Sequence, residues 1–279
     1  MIIDCGAIVK KLDTELIDAC SVLSKNTSPP KLCEILATSN QAVLSYAETK
    51  RRKAEGLGII YESIICDQSK STSDVIEVIQ RLNEDSSVNG ILVGLPTFSH
   101  VDSEMLVNAI NHKKDIDGLG VKNSNLILSN QEHLGIAPAT PSAALHIIES
   151  LLTLSGKNVC VIGRGRTVGR PLIQMLINRD ATVTVCHSRT PLSAIEDAVK
   201  QSDIIITAIG CPGRVKSEWF SADQVAIDCG ISFINNITTG DLDSAALSAR
   251  GVIVSPVPKG VGAVTNSMIF SNLLKAIRL

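Results

Sequence analysis

Tyr46 and Lys50 lie four residues apart in the predicted helix 41–56, so both side chains project from one face of that helix. A phenol and an amine on one face can act on a common substrate, because a desolvated lysine loses its proton readily and then serves as a base. Spacing alone leaves a structural or solvated pair as the alternative, and the basic run 50–53 also has the pattern of a solvated helix face.

A glycine-rich turn within residues 161–171 is a second candidate site. It joins an apolar strand to a helix and has glycines at 163, 165 and 169. Glycine lets the backbone approach a pyrophosphate, and the N–H groups at a helix N-terminus face the anion. The spacing G-x-G-x-x-x-G is one residue longer than the usual dinucleotide fingerprint, so an ordinary tight turn is the alternative. The βαβ unit that this turn opens favours nucleotide binding.

The end of the next strand bears on the choice of cofactor. In NAD sites a carboxylate about 20 residues after the glycines binds the ribose 2′-hydroxyl. Residues 186–190 read Cys-His-Ser-Arg-Thr and contain no acid. Arg164, Ser188 and Arg189 suit a 2′-phosphate, and we therefore expect NADP in preference to NAD. Exposed polar loop residues are the alternative interpretation.

Two loops add groups for substrate recognition. Residues 115–118 read Asp-Ile-Asp-Gly, and a carboxylate in this turn can accept two parallel hydrogen bonds from an amino-pyrimidinone ring. Residues 255–262 follow the last predicted strand and open the last helix. Ligand crevices form at such positions in α/β folds.

The elements that position these groups alternate between apolar Ile- and Val-rich runs and segments of helical period, which predicts an α/β fold with parallel strands. The irregular stretch 112–140 predicts a domain border. The predicted helices span 7–25, 41–56, 72–84, 102–111, 142–153 and 261–278. The predicted strands span 32–37, 59–65, 90–93, 158–162, 181–186, 203–208, 224–228 and 252–254.

Composition excludes several classes of protein. The 279 residues are 44% hydrophobic and 19% charged, as in globular proteins. A formal net charge of −2 and 3% aromatic residues favour a small-molecule partner and no nucleic acid. No apolar run approaches the roughly 18 residues of a membrane span, and the opening residues lack a signal-peptide pattern. We therefore expect no membrane association and a cytoplasmic location.

The cysteines and histidines lack the spacing of metal ligands. The eight cysteines contain no C-x-x-C pair, and most lie in apolar runs. We expect buried free thiols, with a redox role or a disulfide as the alternatives. The five histidines are likewise scattered, and we expect no metal site.

Taken together, the ordered motifs resemble the methylenetetrahydrofolate dehydrogenase/methenyltetrahydrofolate cyclohydrolase family. The resemblance covers nearly the whole chain and is far more specific than the glycine turn alone. The motifs that carry it are Tyr46-x-x-x-Lys50, Gly90–Pro96, Lys114–Gly118, Gly169–Pro171, Val183–Thr190, Ile227–Ile231 and Pro256–Gly262.

The resemblance implies two α/β domains that face each other over a cleft. Residues 1–140 would form a folate-binding catalytic domain, which the C-terminal helix 262–279 would rejoin. Residues 141–261 would form a Rossmann-type NADP-binding domain with a parallel sheet. The resemblance also implies a homodimer formed through the nucleotide-binding domains.

The same resemblance implies the chemistry. A hydride would pass from 5,10-methylenetetrahydrofolate to NADP, and water would then open the methenyl product to 10-formyltetrahydrofolate. Lys50 would be the general base or proton shuttle, Tyr46 would stack on and orient the folate, and Asp117 would hold the pterin. Further substrate contacts would come from Leu95, Pro258 and Gly260. The cofactor would be held by Gly163, Arg164, Gly165, Ser188 and Ile231.

Departures from the family pattern modify this expectation. Gly94 stands where the family typically has a Gln that positions and tunes the lysine, and Val43 stands where a serine is usual. The usual Gly-Gly-Val-Gly-Pro loop reads Lys-Gly-Val-Gly-Ala at 259–263, and Gly165 replaces a common serine. Because glycine offers no side chain to hold Lys50, we expect weakened hydrolysis, whereas hydride transfer depends mainly on the held donor and acceptor.

Two other functions stay open at this point. The altered loop 259–263 would also suit a dehydrogenase of the same architecture that acts on another small substrate. Gly94 and Val43 would also suit a non-catalytic protein that retains a folate or nucleotide site.

Overall fold

The computed structural model describes residues 1–26, 28–234 and 237–279, and two compact units make up this part of the chain. The 11–139 unit comprises residues 11–139 and 269–279. The 140–268 unit comprises residues 1–10 and 140–268. Both units contain parallel sheets, so the predicted α/β class is confirmed.

The 11–139 unit is built on a parallel sheet in the order β2-β1-β3. Its strands are β1 (Lys31–Leu36), β2 (Ile60–Ile65) and β3 (Gly90–Val93). Its helices are α1 (Cys5–Asn26, most of which lies here), α2 (Gln41–Leu57), α3 (Thr72–Glu84), α4 (Ser103–Ala109) and α5 (Val121–Leu128). The chain leaves the central strand β1 for β2 on one side and then crosses to β3 on the other. This reversal puts a switch point, where ligands bind in α/β sheets, between β1 and β3.

The ends of α2 show why the sequence places Tyr46 and Lys50 on a regular helix. Asn40 caps the start, because its side chain accepts a hydrogen bond from the Ala42 N–H at 2.9 Å. Gly58 ends the helix in the left-handed region at φ 72°, a conformation that glycine adopts without a Cβ clash. The predicted helix 41–56 therefore agrees with the structure to within one residue.

One face of the β1 strand belongs to a hydrophobic core, and the other face contacts α2. Cys33 and Ile35 are buried in a cluster with Val75 and Ile79 of α3 and Leu106 of α4. Side chains alternate across a strand, so Glu34 points to the opposite face from Cys33 and Ile35. That face of the sheet lies toward α2, which carries the candidate residues Tyr46 and Lys50.

Helix α5 corrects the prediction that residues 112–140 are irregular. It carries the buried Asn123, whose amide donates to the Asp115 carboxylate and to the His112 carbonyl, both at 3.0 Å. The Asn123 side-chain oxygen accepts the Ile136 N–H at 3.1 Å. The helix has only eight residues, so hydrophobic periodicity gave little signal for it, but it anchors the loop that carries Asp117.

The C-terminal helix α10 (Val261–Ala276) rejoins the 11–139 unit with its second half, as the sequence analysis predicted. The Asn272 amide donates to the carbonyls of Ile116 and Ala137, each at 2.9 Å. Lys275 donates to the Glu132 carbonyl at 2.7 Å. These bonds fix the chain on both sides of Asp117.

The 140–268 unit holds a parallel sheet in the order β10-β7-β6-β4-β5. Counted from β4, this is the doubly wound order 2-1-3-4-5, whose switch point lies between β4 and β6. The strands are β4 (Asn158–Ile162), β5 (Thr182–Cys186), β6 (Ile204–Thr207), β7 (Val225–Asp228) and β10 (Ile253–Val254). The helices are α6 (Ala139–Glu149), α7 (Gly169–Ile177), α8 (Leu192–Lys200) and α9 (Ser244–Ala249).

Short elements account for most differences from the predicted elements. An antiparallel pair, β8 (Ser232–Ile234) and β9 (Ile237–Thr239), and the helix α9 fall between the predicted strands 224–228 and 252–254. The predicted helix 102–111 is shorter because Asp102 caps it and Ala109 ends it. Helix α6 begins at Ala139, three residues before the predicted start.

Across the residues that the structure describes, no helix is long and apolar enough to cross a bilayer. The same residues contain no group of three or more His, Cys, Asp or Glu side chains that could hold a metal ion. All eight cysteines are free, and six of them are buried.

Replacing Asn123 with Ala should destabilise the 11–139 unit, because it leaves the Asp115 carboxylate and the Ile136 N–H with fewer buried partners. We expect the free energy of unfolding to fall by about 2–4 kcal/mol. Urea denaturation followed by circular dichroism measures this loss. Asn125 lies exposed on the same helix, so Asn125→Ala is the matched control and should change stability by less than about 0.5 kcal/mol. Equal losses in both variants would contradict the anchoring role of Asn123.

Candidate active site

Lys50 is a buried lysine on α2 with an exposed fraction of 5%. Its Nζ lies 4.8 Å from the centroid of the Tyr46 ring, in a cation–π contact. The predicted pairing of these two side chains on one helix face is therefore present. Tyr46 is 39% exposed, so the ring has one side open to a ligand.

The partner of Lys50 is Glu34, a fully buried acid in the middle of β1. Lys50 Nζ forms an ion pair with Glu34 Oε1, and the Tyr61 hydroxyl donates to Glu34 Oε2. Tyr61 lies on β2 in register with Leu32, and its side chain shares the sheet face of Glu34. The sequence analysis missed Glu34 and Tyr61, although an acid inside an otherwise apolar strand is a signal that could have pointed to them.

The expectation that no side chain holds Lys50 is therefore wrong. It depended on Gly94, whose position the family usually fills with glutamine. A Cβ at Gly94 would lie 2.7 Å from Leu36 Cδ2 and 3.0 Å from Val43 Cγ1. Leu36 and Val43 thus occupy the space that a side chain at position 94 would need.

Asp117 shares the electrostatic surroundings of Lys50. Its pKa is raised to about 6, chiefly because burial disfavours the carboxylate and then because of the neighbouring Asp115, while Lys50 acts in the opposite direction. Burial and the acids Asp117 and Glu34 also raise the pKa of the Tyr46 phenol. The 11–139 unit thus brings a base, an aromatic ring and a carboxylate into one cluster.

The loop that carries Asp117 is built around the buried carboxylate of Asp115. That carboxylate accepts the Gly120 N–H at 2.8 Å and the Asn123 amide at 3.0 Å. Burial raises the pKa of Asp115 above its ordinary value, and these hydrogen bonds oppose the shift. Within the motif 115–118, Asp115 therefore holds the loop in place, whereas Asp117 is less buried and more exposed to a ligand.

Leu95 follows β3 at the switch point of the sheet and precedes a cis peptide bond to Pro96. It is half-buried, and its side chain packs against the core cluster that contains Cys33 and Ile35. Its assignment as a substrate contact stays a prediction.

The glycine turn of the 140–268 unit lies at the switch point between β4 and β6. Gly163 has φ 129°, and a Cβ there would lie 2.3 Å from the Ala208 carbonyl oxygen. A Cβ at Gly169 would lie 2.3 Å from the Gly163 oxygen, so α7 begins in direct contact with the turn. Only glycine fits these two positions, whereas Gly165 has open space around it.

These observations fit a dinucleotide at this edge of the sheet. Helix α7 starts at Gly169 behind Val168, which provides no side-chain cap, and the Arg170 N–H donates to the Gly165 carbonyl at 3.0 Å while Pro171 has no N–H. The first turn therefore attracts a phosphate mainly through the helix dipole. Arg164 and Ser188 are both exposed, after β4 and β5 respectively. Ile231 is 54% exposed beyond β7. The carboxyl ends of parallel strands share one edge, so the predicted cofactor residues lie along a single edge.

Two buried acids that the sequence analysis did not single out shape this edge. Asp241 accepts the N–H groups of Ile209 and Cys211 at 2.8 and 2.7 Å. Asp228 accepts the Gly230 N–H at 2.9 Å and the Leu242 N–H at 2.8 Å, and its pKa is raised to about 6, mainly by burial. Together they fix the loops that follow β6 and β7.

Pro258 and Gly260 lie in the 140–268 unit, in the loop before α10. Val257–Pro258 is a cis peptide bond, and Lys259 has φ 71°. A Cβ at Gly260 would lie 1.9 Å from the Pro256 carbonyl oxygen, so the loop folds back tightly on itself. Pro258 is exposed. The substrate role of both residues stays a prediction.

Comparisons with known proteins match both units. The family model described as tetrahydrofolate dehydrogenase/cyclohydrolase, catalytic domain, matches residues 3–117. The model of that family's NAD(P)-binding domain matches residues 138–279. The chain belongs to the tetrahydrofolate dehydrogenase/cyclohydrolase family. The family resemblance seen in the sequence is thereby confirmed, and the 140–268 unit carries the NAD(P)-binding domain.

Individual relatives agree with this family over the full chain. The Bifunctional protein FolD of Heliobacterium modesticaldum is 38% identical, and the match covers 99% of this chain and 96% of that protein. The bifunctional FolD methylenetetrahydrofolate dehydrogenase/cyclohydrolase of Campylobacter jejuni has a TM-score of 0.95 at 31% identity and covers 100% and 99% of the two chains. The Trypanosoma brucei enzyme, solved with NADP cofactor and an inhibitor, has a TM-score of 0.93 at 31% identity. The match covers 100% of this chain and 97% of that one.

Replacing Asp117 with Asn should stabilise the folded protein at neutral pH. Since the pKa of this acid rises from 3.8 to about 6 on folding, its ionised form destabilises the fold above about pH 6. We expect Asp117→Asn to raise the free energy of unfolding on the order of 2 kcal/mol at pH 7.5 and by much less at pH 4. Thermal melts at the two pH values test this. A gain that is the same at both would show that the carboxyl is not desolvated.

Proposed function

We propose that this protein oxidises 5,10-methylenetetrahydrofolate to 5,10-methenyltetrahydrofolate with NADP and hydrolyses the product to 10-formyltetrahydrofolate. The observation that carries the proposal is the buried Lys50, held by Glu34 beneath the Tyr46 ring, in the unit that the catalytic-domain model matches. Full-length relatives of known structure that are named for both activities support it.

Substrate binding in this proposal uses the cluster of the 11–139 unit. The Tyr46 ring stacks on the folate and orients it, and the Asp117 carboxylate accepts hydrogen bonds from the pterin. Leu95, Pro258 and Gly260 are the further substrate contacts in this proposal.

Hydride transfer requires mainly that donor and acceptor be held in the right orientation. NADP, when bound, supplies the hydride acceptor. Gly163 and Gly165 let the backbone approach its pyrophosphate, and the start of α7 faces the phosphate charge. Ser188 and Ile231 also hold the cofactor in this proposal.

Hydrolysis requires a base that removes a proton from the attacking water. Lys50 is the only amine in the Tyr46–Asp117 cluster of the described residues, and its Nζ lies against the ring on which the folate stacks. We assign the proton transfer to this atom. With Glu34 as its partner, Lys50 is held in place even though position 94 is glycine.

The choice of NADP over NAD rests on charge. Arg164, after β4, and Arg189, after β5, are exposed at the edge where the ribose would lie, and the exposed Ser188 directly precedes Arg189. A guanidinium binds a phosphate by paired hydrogen bonds, which only the 2′-phosphate of NADP can use. The NADP complex of the T. brucei relative supports this choice.

A homodimer and a cytoplasmic location complete the proposal. Phe233, Ile234 and Ile237 in the β8–β9 pair are 64%, 47% and 66% exposed, and such a patch on the nucleotide-binding unit suits a subunit contact. The eight free cysteines suit a reducing compartment.

A single assay tests the proposed function. Purified protein is mixed with 5,10-methylenetetrahydrofolate and either NADP or NAD, and the absorbance of reduced cofactor and of methenyltetrahydrofolate is followed. Reduction of NADP supports the proposal. Binding of folate and NADP without turnover would instead identify a non-catalytic relative. Binding of NADP without binding of the folate would indicate a different substrate.

Arg164→Ala should weaken NADP binding and leave NAD binding nearly unchanged, because only NADP carries the extra phosphate. Loss of a charge-assisted bidentate contact predicts about a tenfold or greater rise in the Kd of NADP. Titration calorimetry with both cofactors measures the change, and NAD serves as the internal control. Equal losses for the two cofactors would sink the assignment of Arg164 to the 2′-phosphate.

Lys50→Met should remove most enzyme-dependent hydrolysis while a measurable rate of hydride transfer remains, since only hydrolysis needs the base. We expect hydrolysis to fall by about 100-fold or more after subtraction of the spontaneous rate. The variant leaves Glu34 buried without a counter-charge, which destabilises folding. Glu34→Leu combined with Lys50→Met removes both charges and is the control for folding. Hydrolysis at the wild-type rate in either folded variant would disprove the role of Lys50.

A further inference from the structure

We propose that Glu34 is the positioning residue of Lys50 and the internal acceptor of its proton, so that this chain supports hydrolysis from strand β1 in place of position 94. The inference rests on the proposed function, because it concerns the same water attack. It adds two residues, Glu34 and Tyr61, that the family resemblance did not assign.

Burial makes Glu34 and Lys50 interdependent. Glu34 is fully buried and the Lys50 side chain is 7% exposed, so neither charge is hydrated by bulk water. An isolated buried charge costs several kcal/mol, and each group therefore needs the other. An apolar pair of similar size is often at least as stable as a buried ion pair. Stability alone therefore gives no reason for this pair, which points to a chemical role.

The two oxygens of the Glu34 carboxylate have separate partners. Oε1 accepts a hydrogen bond from Lys50 Nζ, and Oε2 accepts a hydrogen bond from the Tyr61 hydroxyl. A carboxylate held at both oxygens keeps a fixed plane, and Lys50 Nζ is fixed with it. The same Nζ lies 4.8 Å from the centroid of the Tyr46 ring, so the fixed amine is next to the proposed folate-stacking residue.

Position 94 is glycine and has no side chain that could share this task. A side chain there would displace Leu36 Cδ2 and Val43 Cγ1, at 2.7 and 3.0 Å from its Cβ. Leu36 is two residues from Glu34 on the same strand face, so the strand that supplies the acid also closes the space at Gly94. The buried acid Glu34 and the side chain that packs against Gly94 therefore belong to the same strand.

The proton balance of the water attack follows from this pair. When the shared proton lies on Glu34, Lys50 is a neutral amine. Water oxygen bonds to the methenyl carbon, the electron pair of the C=N bond moves to nitrogen and cancels the cationic charge, and the freed water proton goes to Lys50. The pair then holds two protons and releases one to solvent. In the hydroxyl adduct the other C–N bond breaks as the C=O bond forms, and the hydroxyl proton goes to the departing nitrogen, so that the whole reaction liberates one proton.

The test compares wild type, Glu34→Gln and a matched control, Glu62→Gln. Glu62 is also an acid on this sheet in an ion pair, with Lys31 at 2.8 Å, but its side chain is 50% exposed. Rates of methenyltetrahydrofolate hydrolysis and of hydride transfer to NADP are measured on each protein. We expect Glu34→Gln to lower kcat for hydrolysis at least about tenfold, with the KM and the hydride-transfer kcat unchanged. Glu62→Gln should leave both activities unchanged.

Glu34→Asp and Tyr61→Phe distinguish a chemical role from packing. Gln matches the volume of Glu but cannot accept the proton, whereas Asp is smaller and can. The proposal therefore expects hydrolysis to be faster in Glu34→Asp than in Glu34→Gln, and a packing role expects the reverse order. Tyr61→Phe keeps the carboxylate and frees Oε2, so it should slow hydrolysis less than Glu34→Gln does. It also provides a folded variant if Glu34→Gln is unstable.

The outcomes separate this inference from the proposed function. If wild-type protein reduces NADP but shows no hydrolysis above the spontaneous rate, the inference is overturned and the dehydrogenase stands. If folded Glu34→Gln hydrolyses at the wild-type rate, or if Glu34→Gln and Tyr61→Phe slow both reactions equally, the inference is also overturned. If wild-type protein performs neither reaction, the proposed function itself fails.

Discussion

A carboxylate in the middle of a parallel sheet is tolerated only if another charge and a hydrogen-bond donor satisfy it. In this protein Glu34 on the central strand β1 imposes that requirement, and Lys50 and Tyr61 meet it. The helix α2 must therefore place Lys50 directly over β1, which fixes Tyr46 one turn earlier on the same face. The caps at both ends of α2 and the apolar packing beneath β1 support this one contact between helix and strand.

The two units use a related topology for different ligands. In β2-β1-β3 and in β5-β4-β6 the first strand of the sheet lies between the second and the third, so each sheet has a switch point beside its first strand. In the 11–139 unit, the strand ends at that point carry Leu95 and Gly94. In the 140–268 unit, they carry the Gly163 turn. The contrast lies in the surroundings, since buried acids shape both sites but only the 11–139 unit places a buried lysine against one of them.

Sequence reasoning predicted the long elements and the family, because alternating apolar runs and ordered motifs reflect them directly. It also singled out Tyr46, Lys50, Asp117 and the glycine turn, whose spacing is local, and their functional roles stay predictions. It missed α5 and the β8–β9 pair, which are short and held by tertiary contacts such as those of Asn123. It missed Glu34 for the same reason, since the register that places Glu34 near Tyr61 and the side chain of Lys50 exists only after folding. The sequence showed that position 94 lacks a side chain but could not show what replaces it.

The tight packing around Gly94 also limits how this site can change by mutation. A larger residue at position 94 meets methyl groups of Leu36 and Val43, so these side chains must shift to admit it. Smaller residues at 36 and 43 would relieve these contacts, and a glutamine at 94 would then compete with Glu34 for the same amine. We therefore expect the effect of a substitution at position 94 to depend on the residues at 34, 36 and 43.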